Sequence, residues 1–186
     1  MKVSREQFAA NRLRILEEAS RLFRDRGFES VKLADVMQAA GMTHGGFYGH
    51  FQSKDDLIEQ TLAHRAARER PRVELERYVE NYLSSRHLAN QADGCDIAGM
   101  APDTLRQGPV AREAMTAMIR AQLDRLEKSM RNADDPHARR DAIGSWAAMF
   151  GAMVLARVST DATLAEEILT QTRASIGKLT GEWEPD

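Results

Sequence analysis

An all-α fold is what this sequence predicts, on three observations. Apolar residues recur three and four positions apart along almost the whole chain, capping residues with Gly and Pro punctuate them, and no stretch alternates apolar and polar as a half-buried strand would. The first helix carries Ile15, Leu16, Ala19, Leu22 and Phe23 on one stripe, with Gly27 as its stop. A short second helix places Leu33, Val36, Met37 and Ala40 on one face and ends at Gly41. Ser53, with Asp56 three positions on, opens a helix through Leu57, Ile58, Thr61 and Leu62, and Pro71 interrupts that helix. Leu75, Tyr78, Val79, Tyr82 and Leu83 mark a further helix, whereas residues 86–110, with Gly94, Gly99, Pro102, Gly108 and Pro109, allow only a short or broken one. Met115, Met118, Ile119, Leu126 and Met130 line a long helix. Asp135-Pro136 is expected to start another that runs to about Val158, and Thr163 with Glu166 to open the last, through Ile168, Leu169, Thr172, Ile176 and Leu179.

The bulk properties narrow the class. With 186 residues, 42% of them apolar, the chain can build one or two compact domains with a real core. The start, MKVSREQF, has no apolar leader, and the nearly apolar run Ile143–Ala156, which contains Gly144 and Ser145, is shorter than the ~20 residues of a membrane span. The single cysteine, Cys95, rules out an internal disulfide and fits a reducing cytoplasm, so a cytoplasmic protein that binds no membrane is expected. Charge is uneven: residues 1–54 hold nine Lys/Arg against six Asp/Glu, net +3, and the remainder is net −5. A basic front suits a polyanion, although a solvated basic face gives the same imbalance.

The stretch GMTHGGFYGHF, residues 41–51, is thinned by glycine yet lies between helices. Two short helices around Gly41-Met42-Thr43 have the proportions of a helix-turn-helix. Gly41 supplies the positive φ a sharp turn needs, and Thr43 is placed to cap the second helix. Phe47 and Phe51, four apart, share a face and turn inward with Met42. The opposite face presents His44, Gly45, Tyr48 and Gly49, so little side chain separates this backbone from an external surface such as the sugar-phosphate wall of DNA. The competing reading makes Phe47, Tyr48 and Phe51 ordinary core aromatics and the glycines a loop.

Read whole, GFESVKLADVMQAAGMTHGGFYGHFQSKDDLI, residues 27–58, resembles the DNA-binding domain of the TetR family of transcriptional regulators: Gly27-Phe28, Ala39-Ala40-Gly41, Phe47-Tyr48, Phe51 and Ser53-Lys54 fall in that family's register. The resemblance implies an N-terminal three-helix helix-turn-helix DNA-binding domain, residues 1–54, and a C-terminal helical ligand-binding and dimerisation domain, residues 55–186. It implies a homodimeric repressor on a double-stranded DNA operator, released by a small hydrophobic or aromatic effector, with no cofactor. By motif position Lys32, Thr43, His44, Gly45, Tyr48, His50 and Lys54 are the candidate DNA contacts, Lys54 and Tyr48 on phosphates, Thr43 and His44 nearer base edges. The pattern departs from the commoner one at Ala34, His44, Gly46 and Gly49, which shifts the expected readout toward backbone approach and DNA shape.

Behind this domain, Gly144, Ala148, Gly151 and Leu155 form a small-residue stripe that, with the last helix, resembles the family's dimer interface; intramolecular packing is the rival use. Tyr78, Tyr82, Met115, Met118, Trp146, Met149 and Phe150 are candidates to line an effector pocket, because methionine adapts to varied ligands, though plain core packing accounts for any one of them. Cys95, in DGCDIAG, is either a buried inert thiol or an electrophile- or redox-sensing one near a helix start, which keeps a thiol-based repressor as the alternative. An enzyme is not expected: His44, His50, His64, His87 and His137 lack metal-ligand spacing, and there is neither a phosphate-cradling glycine loop nor a G-x-S-x-G elbow.

Overall fold

The computed structural model describes residues 4–69, 71, 73–130, 133, 135–181 and 183; residues 1 and 186, the outer limits of the two expected domains, lie outside them. The fold is all-α, with no strand among the described residues. Helix α1 spans Arg5–Ser30, α2 Leu33–Ala39, a 3-10 segment His44–Gly49, α3 Lys54–Ala66, α4 Leu75–Tyr82, α5 Ser85–Ala89, α6 Asp96–Thr104, α7 Pro109–Ser129, α8 Ala138–Val158 and α9 Ala162–Thr180.

Contacts group the chain into two compact units, Met1–Arg68 with Ala92–Met118, and Glu69–Gln91 with Ile119–Asp186, a line different from the 54/55 division. In the first unit α1 is the central element and touches α2, α3 and α6. Its buried Ile15, Leu16, Ala19, Leu22 and Phe23 share a core with Val36 and Met37 of α2, Leu57, Ile58 and Leu62 of α3, and Ile97 and Met100 of α6. The apolar face of α3 therefore ties residues beyond 54 to the first unit.

At Gly27 the backbone of α1 leaves helical geometry, φ 77° and ψ 163°, a conformation that L side chains rarely adopt. The kink turns the Phe28 N–H toward Asp103 Oδ2, 2.8 Å away, and a Cβ at Gly27 would stand 2.7 Å from that same oxygen. Below it lies a buried ionic cluster that sequence spacing does not reveal. Asp96, at the start of α6, is 1% exposed and is paired with Arg24 of α1 and, at 2.9 Å, with Arg65 of α3. Arg65 also reaches Glu17 at 2.9 Å, and Arg24 donates to Ser20 Oγ and to the Ala92 carbonyl, both at 2.6 Å. Burial pushes the Arg24 pKa down while the Asp96 carboxylate opposes it, so the three charged groups are stable together and costly apart.

In the second unit α8 packs along α9, α4 against α9 and α5 against α8. Ala142, Ser145, Trp146, Met149, Ala152 and Met153 of α8 are buried, as are Ala165, Leu169 and Ile176 of α9. Arg157 donates to the His87 carbonyl at 2.9 Å and Arg173 to the Leu83 carbonyl at 3.0 Å, each satisfying a carbonyl near the C-terminal end of a short helix. By length and composition alone α8, 21 residues with a mean hydropathy of 1.2 in its most apolar window, could cross a membrane; its buried side chains give that apolar character a role in this unit's core.

Three expected helix starts are made differently. Asp135-Pro136 forms a turn, with Asp135 Oδ1 accepting the His137 N–H at 2.7 Å, and α8 begins only at Ala138. The α9 cap is Asp161, whose carboxylate accepts from Thr163 and Leu164 at 2.9 and 3.2 Å; the chain enters extended at Asp161, which gives its side chain the two orphan donors. Thr43 takes no side-chain cap bond, because the chain beyond it winds as 3-10 rather than α-helix. Ser53 caps α3 as expected, accepting the Asp56 N–H at 3.0 Å.

Candidate nucleic-acid interface

The helix-turn-helix is built from α2, a turn at Gly41 and the 3-10 segment. α2 ends on Ala40; Gly41 has φ 71°, and its N–H and that of Met42 return to the carbonyls of Gln38 and Met37 at 3.0 and 2.8 Å. An L residue at Gly41 would be strained, so the turn depends on glycine. Thr43 is extended, and the 3-10 winding starts directly after it. Its first N–H to be satisfied, that of Gly46, goes to the Thr43 carbonyl at 3.0 Å. That i to i+3 closure occupies the donor a threonine cap would have taken. Three glycines in six residues favour no regular α-helix.

What holds so short a segment is its aromatic underside. Phe47 is fully buried and Phe51 is 2% exposed, their rings stacked at 5.6 Å between centroids. Opposite, Thr43, His44, Gly45, Gly46, Tyr48 and Gly49 are all exposed, Tyr48 at 66%. The Tyr48 ring stands edge-on to Phe47 at 5.2 Å and to His44 at 6.4 Å, which holds its hydroxyl away from the core. A Cβ on Gly45 or Gly49 would meet nothing within 4 Å, so no contact inside the chain asks for glycine at either position.

The candidate contacts divide in two. Thr43, His44, Gly45 and Tyr48 share the outward face, and Lys32 is exposed at the start of α2, its N–H donated to Asp35 Oδ2 at 3.2 Å. Lys54 and His50 also have partners within the chain. Lys54 Nζ donates to the Glu29 carbonyl at 3.0 Å, at the end of α1. His50 is half-buried, its ring stacked 4.1 Å from Phe8, and its carbonyl accepts from Arg12 at 3.0 Å. Its Nδ1 is buried without a hydrogen-bond partner, and burial, with the Arg12 charge, holds the imidazole below its ordinary pKa.

Of the effector candidates, Tyr78, Tyr82, Trp146, Met149 and Phe150 belong to the second unit, and Met115 and Met118, each 5% exposed, to the first. Tyr78 and Tyr82 lie 5.9 Å apart; Gln122 Nε2 donates to the Tyr78 hydroxyl at 3.0 Å, and Arg125 lies 4.7 Å over the same ring. Trp146 and Phe150 are 6.0 Å apart, and Met149 is fully buried. Two clefts are lined by other residues. One of about 260 Å³ in the first unit runs past Phe28, Lys54, Ile58, Asp103 and Arg106, and one of about 380 Å³ in the second past Leu88, Arg157, Ser159, Thr160 and Ala165. Cys95 is half-buried at the N-cap of α6, next to the ion-paired Asp96.

These features define an all-helical protein that offers a short, outward-facing second helix-turn-helix element. Comparison with known proteins agrees. Residues 15–61 match the model of bacterial regulatory proteins of the tetR family. The chain is 37% identical over 59 residues to the HTH-type transcriptional regulator TtgR of Pseudomonas putida, 32% of this chain and 28% of that one. It is 36% identical over 56 residues to the HTH-type transcriptional repressor KstR2 of Mycolicibacterium smegmatis, 30% of this chain and 27% of that one. The matched segment thus spans under a third of these relatives. The fold extends much further: a TetR-family regulator structure from Agrobacterium tumefaciens superposes with a TM-score of 0.71 at 21% identity, over 92% of this chain and 98% of that one. The reduced form of E. coli NemR does so with a TM-score of 0.66 at 22% identity, over 94% and 98%. Residues 15–61 thus carry the DNA-binding segment of the tetR family, and the whole chain shares the fold of that family's solved regulators.

Proposed function

We propose that this protein is a DNA-binding transcriptional repressor that docks on its operator as a homodimer and is released when a small hydrophobic or aromatic ligand binds. The observation that carries the reading is the exposed face of residues 43–49, held out by the buried Phe47 and Phe51 inside the segment that matches the family's DNA-binding model. Residues 1–54 carry DNA binding and 55–186 carry effector binding and dimerisation. Lys54 and Tyr48 hold phosphates, with Lys32 and His50 as further contacts, Thr43 and His44 meet base edges, and Gly45 and Gly49 let the backbone come close.

Dimerisation presents two such segments to successive half-sites. The surface in favour is the exposed apolar face of α8 and α9: Ile143, Gly144, Ala147, Ala148, Leu155 and Val158, with Leu164 and Leu179. For release, the ligand binds the DNA-incompetent form more tightly; a differential of ~1–3 kcal/mol lowers operator affinity about 5–150-fold. The aromatic pairs Tyr78–Tyr82 and Trp146–Phe150 are the side chains offered to it.

A second reading, a thiol-sensing repressor, is favoured by one placement: Cys95 is half-buried where α6 begins, next to the carboxylate that ties α6 to α1 and α3. Cys95→Ser separates the two: release by an oxidant or electrophile that survives the substitution removes it.

The direct test is a footprint of the purified chain on DNA upstream of its own gene, with retention followed across a salt series. A protected two-fold site and a steep fall with salt are expected. Gly45→Ala leaves folding within ~0.5 kcal/mol of wild type yet weakens binding, because the new methyl stands between backbone and DNA. If Gly45→Ala and Tyr48→Ala both bind as wild type does, the outward face is not the interface.

A further inference from the structure

The recognition segment ends in a contact that its own sequence does not explain. A 3-10 segment of six residues cannot hold its pitch by internal hydrogen bonds, and its last carbonyls carry the negative end of its dipole. Here the carbonyl that closes it, that of His50, accepts from Arg12 at 3.0 Å. The same guanidinium lies 4.6 Å over the Phe51 ring, so one planar cation caps the backbone and rests on the aromatic anchor at once. One turn earlier on α1, Phe8 stacks on the His50 ring at 4.1 Å and 24°. Phe8 and Arg12 are thus i and i+4 on one helix face and close on a single residue, His50, at the exit of the segment. Phe8 is 42% exposed, more than its ring stack alone would lead one to expect of a core aromatic.

We infer that Phe8 and Arg12 form a clasp on the exit of the recognition segment, and that Arg12 is a positioning residue for sequence-specific DNA binding, acting through the His50 carbonyl rather than by touching DNA. The inference rests on the repressor reading. The clasp sets the angle at which Thr43, His44 and Tyr48 are presented, a geometry that base readout needs and general phosphate attraction does not. Lysine at position 12 keeps the charge but cannot both cap and lie flat on Phe51, so it restores the clasp only in part.

The test uses the full chain, a duplex that wild type selects from a random-sequence pool, and a scrambled duplex of equal length. Arg12→Gln is expected to weaken binding to the selected duplex about tenfold, the scale of losing one charge-assisted hydrogen bond. Binding to the scrambled duplex and the slope of log affinity against log salt stay unchanged. Arg12→Lys recovers part of the loss, and Phe8→Ala gives the same pattern at smaller amplitude. A slope shallower by ~0.9 in Arg12→Gln would make Arg12 a phosphate contact and overturn the clasp. Equal losses on both duplexes, tracking a lowered melting temperature, would reduce Arg12 to a structural residue, and wild-type affinity in both Arg12→Gln and Phe8→Ala would leave the clasp without effect. A wild-type protein that selects no duplex and shows no salt-dependent retention fails the repressor reading itself, and the clasp's role with it.

Discussion

The two compact units both close helix ends with a cationic side chain on a backbone carbonyl, Arg157 and Arg173 doing so in the second, and they differ in what is added to that device. The first uses charge: Asp96 with Arg24 and Arg65 joins α6, α1 and α3, while Lys54 and Arg12 close the ends of α1 and of the 3-10 segment on backbone carbonyls. The second uses small apolar residues along α8 and α9 and leaves a wide apolar face uncovered, with Leu155 at 57% and Val158 at 72% exposure. Directional bonds fix angles; apolar faces fix only proximity and accept rearrangement. On the proposed repressor reading, a surface that reads a fixed DNA geometry would suit the first means, and one that admits a ligand or a second copy would suit the second.

The largest expected effect lies in the ionic cluster. Asp96→Ala leaves Arg24 and Arg65 buried without their shared carboxylate and should cost about 3–5 kcal/mol, read from urea unfolding followed by circular dichroism. A change below ~1 kcal/mol would mean that the cluster is solvated and that the contrast between the units is one of composition only. Next is Gly27→Ala, expected to cost about 1–3 kcal/mol, because alanine there must hold a positive φ while its Cβ displaces Asp103 from the Phe28 N–H. Asp103→Ala alone should be milder, which separates backbone strain from the lost bond.

In the second unit the matching change is Asp161→Ala, which frees two N–H groups at the start of α9 and should lower stability by ~1 kcal/mol. Leu155→Arg, on the uncovered face, should leave the melting temperature of the protomer close to wild type and yield monomer in sedimentation. A dimer that persists at micromolar concentration would move the interface elsewhere. The smallest effect is a pH dependence. Burial, helped by the Arg157 charge and opposed by the bond to the Tyr82 carbonyl, holds His87 below its ordinary 6.5. The unfolded chain then binds the proton more readily, so His87's contribution is complete above about pH 6.5 and lost as pH falls from there toward the folded value. Urea midpoints between pH 7.5 and 5 should decline less steeply in His87→Gln, and an unchanged decline would assign it to other groups, His50 foremost.

Much of the first unit was legible because its signals are local. Gly41 at the turn, Phe47 and Phe51 one turn apart, and Ser53 three residues before Asp56 each declare themselves within five positions, and each takes the role expected of it. The helix starts that differ from expectation show where local reading ends. Asp161 and Thr163 are both acceptable caps by residue type, and the direction in which the chain arrives chooses between them. Lys54 and His50 match a motif position by sequence, but whether a side chain meets DNA or a neighbouring carbonyl depends on where α1 ends and begins, which no spacing near residue 50 records.

By itself the sequence determined the helical class, the helix-turn-helix and the likeness of residues 15–61 to the tetR family, because hydrophobic period, turn glycine and aromatic anchors act over one or two helical turns. Tertiary structure alone decided that Asp96 would meet Arg24 across 72 positions, that Arg12 would close on His50 across 38, and that α3 would join the first unit. A charged side chain becomes a partner only when folding removes water from both groups and fixes the distance between them, and neither condition is written in the order of the residues.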